Sequence, residues 1–125
     1  MICNIGDIDN PDMIGEVADI LLRHETVDWV MCFGRLEKRL LLSLRTQDKN
    51  LSAGKVVRRI VQKIGTGGGH ASMAGGQIPL TRPRGPNPKR TQLERLIRDR
   101  FLKALKIKTK KATRLVHIPA KDLKK

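Results

Sequence analysis

The spacing of apolar residues changes several times within the first 65 residues, and each spacing predicts one element. Residues 2–8 have isoleucine on both faces of a short segment, which is typical of a strand buried on both sides. Apolar residues recur at helical spacing over residues 14–22, after Asn10-Pro11, a pair that favours the start of a helix. Alternating bulky residues at 27–33 and 39–45 predict two strands joined as a hairpin.

A second amphipathic helix is predicted after the hairpin. Ser52 stands at its expected N-cap, its apolar stripe runs from Val56 to Ile64, and Gly65 is the expected stop. The apolar segment 77–80 contains a proline, which cannot donate to a ladder and therefore predicts an edge strand. The element order is βαββα, followed by a glycine-rich loop and the edge strand. This order predicts an α/β fold with a small mixed sheet and flanking helices.

The last third of the chain has a different pattern. Residues 82–90 contain three prolines and a glycine, which favour an extended linker over helix or central strand. Residues 91–106 have apolar residues at helical spacing and predict a basic amphipathic helix. We therefore predict a folded module over residues 1–81, a Pro/Gly linker over 82–90, and a basic helix and tail over 91–125. The apolar stripe of this helix consists of Leu93, Leu96, Ile97, Phe101, Ala104 and Leu105. The surface that buries the stripe is left open among the module, another domain and another subunit.

Basic residues are concentrated in the same third of the chain. The 125 residues include 26 Lys+Arg and 12 Asp+Glu, which gives a formal net charge of +14. Residues 1–81 have 10 basic and 9 acidic side chains, whereas residues 82–125 have 16 and 3. Such a segment is typical either of a solvated tail or of a nucleic-acid contact. The side chains predicted for that contact are Arg95, Arg98, Lys103, Lys106, Lys110 and Lys111.

Several classes of protein are excluded by the rest of the sequence. It has no secretory leader pattern and no apolar run long enough for a membrane span, so we expect a soluble, cytoplasmic protein without a membrane partner. Cys3 and Cys32 make no disulfide framework or metal cage, and we interpret both as small buried hydrophobic residues. Trp29 and Phe33 lie on one strand face and are interpreted as core residues rather than base-stacking platforms.

Three consecutive glycines precede a histidine at residues 67–70. Glycine allows backbone N–H groups to approach an anion closely, and His70 adds a polar group at the rim of such a loop. No Lys-Ser/Thr follows the glycines, which excludes a Walker loop, and the spacing is not that of a Rossmann fingerprint. Anion binding and a flexible glycine hinge both remain open on these grounds.

Residues 67–75 closely resemble the GGGHxxAAG signature of the DHH-associated substrate-binding domain of DHH phosphoesterases. The upstream segment 43–46 is similar to that family's SxRS element, and the two elements lie in the expected order within residues 1–80. Met73 and Thr46 depart from the usual Ala and Ser. The family includes RecJ-like exonucleases, nano-RNases, cyclic-dinucleotide phosphodiesterases and exopolyphosphatase-like proteins, and a related domain ends alanyl-tRNA synthetases.

The resemblance implies hydrolysis of phosphodiester or phosphoanhydride bonds, as in oligonucleotides, cyclic dinucleotides or polyphosphate. The catalytic domain of the family binds two metal ions, Mn²⁺ or Mg²⁺, through aspartates and an Asp-His-His motif, and this chain has no such tripeptide. We therefore expect an N-terminal DHH catalytic domain as partner, with the metal ions there and no cofactor in this chain. Alone, the chain is expected to bind a phosphate-containing substrate or nucleic acid without cutting it. A homodimer is left open.

The resemblance also implies which residues close over the substrate. These are Arg45, Gly67, Gly68, Gly69, His70 and Ser43. Arg45 offers a guanidinium fork to a phosphate, the glycines offer backbone donors, His70 bonds a phosphate, and Ser43 orients Arg45. The alternative for Arg45 is a solvated charge at a strand end. Two other functions are kept as alternatives: a non-catalytic nucleic-acid-binding module akin to the alanyl-tRNA synthetase C-terminal domain, and an oligomerisation domain.

Overall fold

The computed structural model of the chain describes residues 1–24 and 26–106 and the backbone of residues 115–117. Lys110 and Lys111, two of the predicted nucleic-acid contacts, lie outside the described residues. In chain order the elements are β1 (Ile2–Asp7), α1 (Asp12–His24), β2 (Trp29–Leu36), β3 (Arg39–Thr46), α2 (Ala53–Val61), β4 (Thr66–Gly69), β5 (Met73–Pro79), α3 (Arg90–Ala104) and β6 (Leu115–His117). The predicted α/β class is confirmed.

Across the described residues, six strands form one sheet in the order β4-β5-β3-β2-β1-β6. The strand β1 is parallel to both its neighbours, whereas the other pairs are antiparallel, so the sheet is mixed as predicted. Helix α1 connects the parallel strands β1 and β2 and packs on one face of the sheet, against β2 and β3. Helices α2 and α3 contact each other and cover the opposite face. The two faces of the sheet are called the α1 face and the α2–α3 face below.

The larger part of the core lies on the α2–α3 face. Alternate residues of β3 point into it, because successive side chains of a strand point to opposite faces. These residues are Leu40, Leu42 and Leu44. Trp29 and Phe33 of β2 belong to the same cluster and are 7% and 1% exposed, which confirms that both are core residues. The α1 face has a smaller cluster that includes Cys3 and Cys32, and both cysteines are fully buried as predicted.

Helix α3 buries its apolar stripe on this same chain. Its Phe101 is 1% exposed and contacts the ring of Trp29 edge to face, with the two ring centroids 6.2 Å apart. One detail of the predicted stripe is wrong, because Leu96 is 37% exposed and Leu102 is buried instead. The helix after the proline-rich segment is therefore packed against the core of the module. The boundaries predicted at residues 81 and 91 stay a prediction.

The start of α1 was predicted correctly, whereas the end of α2 was not. Asn10 caps α1 as expected, because its side-chain oxygen accepts a hydrogen bond of 3.0 Å from the backbone N–H of Asp12. Helix α2 ends at Val61, before the predicted stop. Lys63 has a φ of 67°, which lies outside the helical region, and the backbone N–H of Gly65 donates to the carbonyl of Val61 at 2.8 Å. The chain therefore leaves the helix early and turns into β4.

The prediction of a glycine-rich loop followed by an edge strand is wrong. Residues 67–69 lie in β4, which is the edge strand, and β5 lies between β3 and β4. Pro79 is tolerated there because it is the last residue of β5. The N–H of Leu80 donates to the carbonyl of Lys38 at 2.8 Å, so by alternation the nitrogen of Pro79 points away from β3. On that side β4 begins only at Thr66, which pairs with Gln77, and no ladder bond is lost.

Candidate functional site

Most of the residues predicted for the site meet on the α1 face, on β3 beside α1 and on β5 and β4 beyond it. Ser43 pairs with Gly75 and Gly75 with Gly68, so one row of residues crosses β3, β5 and β4. This row lies in a shallow depression of about 320 Å³. The depression is lined by Ser43, Arg45, Gly68, Gly69, His70, Met73, Ala74 and Gly75. The strand pairing thus brings the two sequence elements together, although 20 or more residues separate them along the chain.

The three glycines of β4 differ in what surrounds them. A Cβ atom at Gly68 would have no atom within 4 Å, so the open side of this residue faces the depression. A Cβ atom at Gly67 would lie 3.3 Å from Val57 of α2, and one at Gly69 would overlap Ala74. A side chain at Gly67 would therefore face α2, and Gly67 is not among the residues that line the depression; its predicted role as a backbone donor stays a prediction. Glycine at this position allows α2 to pack closely on the sheet.

His70 lies in the turn between β4 and β5, and the turn is tied to α2. The backbone N–H of His70 donates to the carbonyl of Met73 at 2.8 Å and closes the turn. The carbonyls of His70 and Ala71 accept hydrogen bonds of 3.0 and 2.9 Å from Gly54 and Ala53, at the beginning of α2. These bonds satisfy backbone donors that an isolated helix leaves free. They also hold His70, whose side chain is exposed, at one position beside the depression.

Ser52 has a different role from the predicted one. It precedes α2 at the N-cap position, yet its hydroxyl makes no capping bond. The hydroxyl instead donates to the carbonyl of His70 at 3.4 Å, which adds another link between the helix and the turn. The segment 71–74 forms no helix, because Met73 and Ala74 belong to β5.

Arg45 is held by contacts on two sides and is not a solvated charge at a strand end. Its side chain is 12% exposed, and its Nε lies 2.7 Å from Oδ1 of Asp19 on helix α1. Its Nη1 donates to the carbonyl of Leu44 at 2.9 Å and lies 3.5 Å from that of Ala74. These contacts fix the guanidinium plane at the edge of the depression. Because Asp19 is 50% exposed, solvent screens the ion pair, and its main effect is to orient Arg45.

Gly15 makes room for this arginine and was missed by the sequence analysis, as was Asp19. A Cβ atom at Gly15 would lie 2.8 Å from Nη2 of Arg45 and 3.9 Å from the hydroxyl of Ser43. Glycine inside a helix costs about 1 kcal/mol relative to alanine, so its presence in the middle of α1 was a usable signal. Gly15 and Asp19 are four residues apart and lie on one side of α1. That side of the helix forms the wall of the depression next to Arg45.

The basic side chains predicted for nucleic-acid contact lie elsewhere. Arg95, Arg98 and Lys103 belong to α3, and Lys106 directly follows it, all on the α2–α3 side of the sheet. Arg98 lies 3.8 Å from the carboxylate of Asp99. The structure therefore does not bring these residues to the depression at Arg45 and His70.

The buried cysteines on the α1 face form a pair. Cys3 and Cys32 are register partners on neighbouring strands. The pKa of the Cys32 thiol is raised above its ordinary value by its hydrogen bond with Cys3 and by burial, both of which favour the neutral form. The same hydrogen bond lowers the pKa of the Cys3 thiol, so only Cys32 is held in the neutral form, and both side chains are a buried part of the core.

The described residues offer no metal site. No group of three or more His, Cys, Asp and Glu side chains in this part of the chain is arranged to hold a metal ion. The side chains present therefore do not fit the two-metal centre of a DHH catalytic domain. Within the same residues, no helix is both long and apolar enough to span a membrane.

Comparison with known proteins identifies the class. The family model for the DHHA1 domain matches residues 1–106, so the chain belongs to the DHHA1 domain family. This is the C-terminal domain associated with DHH phosphoesterases such as RecJ. A protein of Methanocaldococcus jannaschii, the uncharacterized protein MJ1633, is 33% identical over 107 residues, which are 83% of this chain and 22% of that protein. The chain thus spans about a fifth of the length of this curated relative.

Solved structures share the fold. The C-Ala domain of Aquifex aeolicus alanyl-tRNA synthetase has a TM-score of 0.58 at 20% identity, over 80% of this chain and 87% of that domain. RecJ from Thermus thermophilus, in complex with Mg²⁺, has a TM-score of 0.54 at 16% identity, over 93% of this chain and 16% of RecJ. An exonuclease RecJ bound to manganese has a TM-score of 0.54 at 15% identity, over 90% of this chain and 26% of that chain. At these identities the likeness shows the fold alone.

Proposed function

We propose that this chain is the substrate-binding part of a metal-dependent DHH phosphoesterase, and that the depression beside Arg45 holds a phosphate group of the substrate. The observation that carries the proposal is the meeting of Arg45, His70 and Gly68 in one open depression. A guanidinium and an imidazole are groups that bind phosphate oxygens, and a glycine without neighbours lets a phosphate approach the strand closely. Membership of the DHHA1 family supports the same substrate class, a phosphodiester or phosphoanhydride.

Each residue has a separate part in the proposed binding. Arg45 donates to a phosphate from Nη2, while Asp19 holds its Nε and keeps the guanidinium in place. His70 donates from the opposite rim, where the turn bonded to α2 fixes its backbone. Gly68 leaves the floor free, and Ser43 adds a hydroxyl beside Arg45. Such a site positions the substrate and offsets its charge.

Hydrolysis in the longer protein requires groups that the described residues do not contain. In DHH phosphoesterases those groups are metal ions, and Mn²⁺ and Mg²⁺ are present in the RecJ structures with this fold. We expect residues 1–125 alone to bind substrate without cutting it. Incubation with a 5′-phosphorylated dinucleotide and Mn²⁺ tests this, and steady release of mononucleotide by the purified chain would contradict the proposal.

The site itself is tested by calorimetric titration of the chain with the same dinucleotide. Arg45→Ala is expected to weaken binding about 10- to 100-fold, since a hydrogen bond to a charged group is worth about 1.5–3 kcal/mol. Gly68→Ala places a methyl group on the floor of the depression and is expected to weaken binding about tenfold, or about 1.4 kcal/mol. Lys38→Ala, an exposed change in the β2–β3 turn, is the control.

Two outcomes of the titration would decide against the site. If Gly68→Ala and His70→Ala both bind as the unchanged chain does, the depression is not where phosphate binds. If Lys38→Ala weakens binding as much as Arg45→Ala, the effect is one of bulk charge. Urea unfolding of each variant separates lost binding from lost folding, and Gly68→Ala introduces no overlap in the folded chain.

A non-catalytic nucleic-acid-binding module is the second candidate. Its support is the match to 87% of the C-Ala domain, together with the basic side chains on α3. Deletion of residues 82–125 cannot separate the two candidates, because α3 contributes Phe101 and Ile97 to the core. Substitutions can. Nucleic-acid binding that is indifferent to Arg45→Ala and His70→Ala, with no binding of dinucleotide, favours the module.

A further inference from the structure

The exposed side of α2 consists of cations. Its apolar residues are buried against the sheet, and the side chains that remain at the surface are Lys55, Arg58 and Arg59, followed by Gln62 and Lys63. Arg58 and Arg59 lie three and four residues after Lys55, so these three side chains lie along one side of the helix. No acidic residue occurs in the helix or on either side of it between residues 49 and 93.

Helix α3 extends this basic surface. Arg100 reaches across to the end of α2, where its Nη1 donates to the carbonyls of Ile60 and Gln62 at 2.8 Å each. These two bonds fix the groove between the helices. Arg59 and Gln62 of α2 and Arg100, Lys103 and Ala104 of α3 line a depression of about 410 Å³ in that groove. Three cationic side chains from two helices thus line one concave site.

Among the described residues, no acidic side chain forms an ion pair with the cations of α2 or of the groove. Residues 49–106 contain 14 Lys+Arg and 2 Asp+Glu, whereas residues 1–48 contain 5 and 9. The two acids are Glu94, whose carboxylate lies 3.1 Å from Nε of Arg90, and Asp99, which lies 3.8 Å from Arg98. The cations of α2 and the groove are therefore left for a partner with negative charge.

The chemistry of the surface indicates what that partner is. All three aromatic residues of the chain, Trp29, Phe33 and Phe101, are buried, so no ring is free for stacking on bases. Cations spaced along two helices instead match a chain of phosphates. We propose that the surface of Lys55, Arg58, Arg59, Arg100 and Lys103, named the α2–α3 cation surface, binds the phosphodiester backbone of a nucleic acid without reading its sequence.

This surface is separate from the depression at Arg45. The depression lies on the α1 face of the sheet, and α2 and α3 pack on the opposite face. The inference therefore does not rest on the proposed function. In a protein that has both, the α2–α3 cation surface holds a polynucleotide while the depression takes one phosphate group.

The test compares two double charge reversals in the full chain. Arg59→Glu with Lys103→Glu alters the α2–α3 cation surface, and Arg23→Glu with Lys38→Glu alters exposed cations of α1 and the β2–β3 turn. Both change the formal net charge of +14 by the same four units, so long-range attraction falls equally. The probe is a short fluorescein-labelled oligothymidylate, and its anisotropy is measured between about 50 and 200 mM salt.

We expect the first variant to bind at least about tenfold more weakly than the second, with a log–log salt slope smaller by about 1.4, since each contact to a single strand contributes about 0.7. A mixed-sequence oligonucleotide should give the same result. Equal affinities of the two variants would overturn the proposal and assign binding to bulk charge or to the residues after 106.

Two further measurements separate the remaining explanations. Lys55→Gln with Arg58→Gln, a milder pair of changes on α2, should also lower the salt slope. If the slope does not change, the result counts against the surface, even if the variant with Arg59→Glu and Lys103→Glu folds poorly. Vesicles with anionic lipids are the second probe. If the Arg59 and Lys103 reversals abolish vesicle binding and leave oligonucleotide binding intact, the surface binds membranes and the proposal is wrong. The paired variants change no residue of the depression, which keeps this test distinct from that of the depression.

Discussion

The two faces of the sheet differ in composition and in what they expose. Among the described residues, the cluster on the α2–α3 face contains 19 buried residues, and that on the α1 face contains nine. The α2–α3 face is covered by two helices with cations outside. Helix α1 covers only part of its face, and the strands beyond it expose glycine, serine, arginine and histidine. One face thus supplies most of the stability, and the other keeps a depression open.

This difference between the faces explains how β3, β5 and β4 contribute both to the core on one side and to the depression on the other. Successive side chains of β3 and β5 point to opposite faces, so Leu44 and Ile78 belong to the α2–α3 cluster while Ser43, Arg45 and Gly75 line the depression. A substitution on one side should therefore change stability, and a substitution one residue away should change binding. Three predictions test this separation, beginning with the largest effect.

Phe101→Ala is expected to lower the free energy of unfolding by about 3–5 kcal/mol, the usual cost of removing a buried aromatic ring. The ring is 1% exposed and contacts Trp29, so its removal takes away buried apolar contacts of the core. Urea unfolding followed by tryptophan fluorescence measures the change. Leu96→Ala on the same helix is the control, and we expect a loss below about 1 kcal/mol because this side chain is 37% exposed. Equal losses would show that α3 is not part of the core.

Gly69→Ala and Gly68→Ala should differ although they are neighbours. An alanine methyl at position 69 would overlap the backbone of Ala74, and we expect a loss of about 1–3 kcal/mol. The same methyl at position 68 meets no atom within 4 Å, and we expect a change within about 0.5 kcal/mol. Thermal or urea unfolding of both variants gives the comparison. A large loss for Gly68→Ala would mean that its side of β4 is not open.

Gly15→Ala is expected to have a small effect on stability and a clear effect on binding. Alanine in place of glycine favours the helix by about 1 kcal/mol. The methyl group displaces Nη2 of Arg45, and the weakened contacts of that side chain cost a similar amount. The net change in the free energy of unfolding should therefore stay within about 1 kcal/mol. Because the methyl group pushes the guanidinium away, affinity for the phosphorylated dinucleotide should fall as it does for Arg45→Ala. Unchanged affinity would remove Arg45 from the site. Glu16→Ala, an exposed change on the same helix, is the control.

Much of the fold was predictable because its signals are local. Alternation at 27–33 and 39–45 and the Asn10 cap depend on residues close together in the chain, and the structure confirms these elements. The prediction was wrong for the glycine strand β4, since residues without side chains have no hydrophobic pattern to follow. It was also wrong for the end of α2, where the apolar spacing continues past Val61 but Lys63 has left the helical region.

The residues of the candidate site were predictable from the sequence, but the contacts that position them were not. The sequence by itself determined the family, through the glycine–histidine and Ser-Leu-Arg elements, and the excess of basic residues in the last third. Only the tertiary structure decided that Gly67 faces α2, that Asp19 holds Arg45 across 26 residues of chain, and that α3 completes the core. Those facts depend on which strands and helices pack together. Contacts of that kind join residues far apart in sequence and leave no periodic pattern in either segment alone.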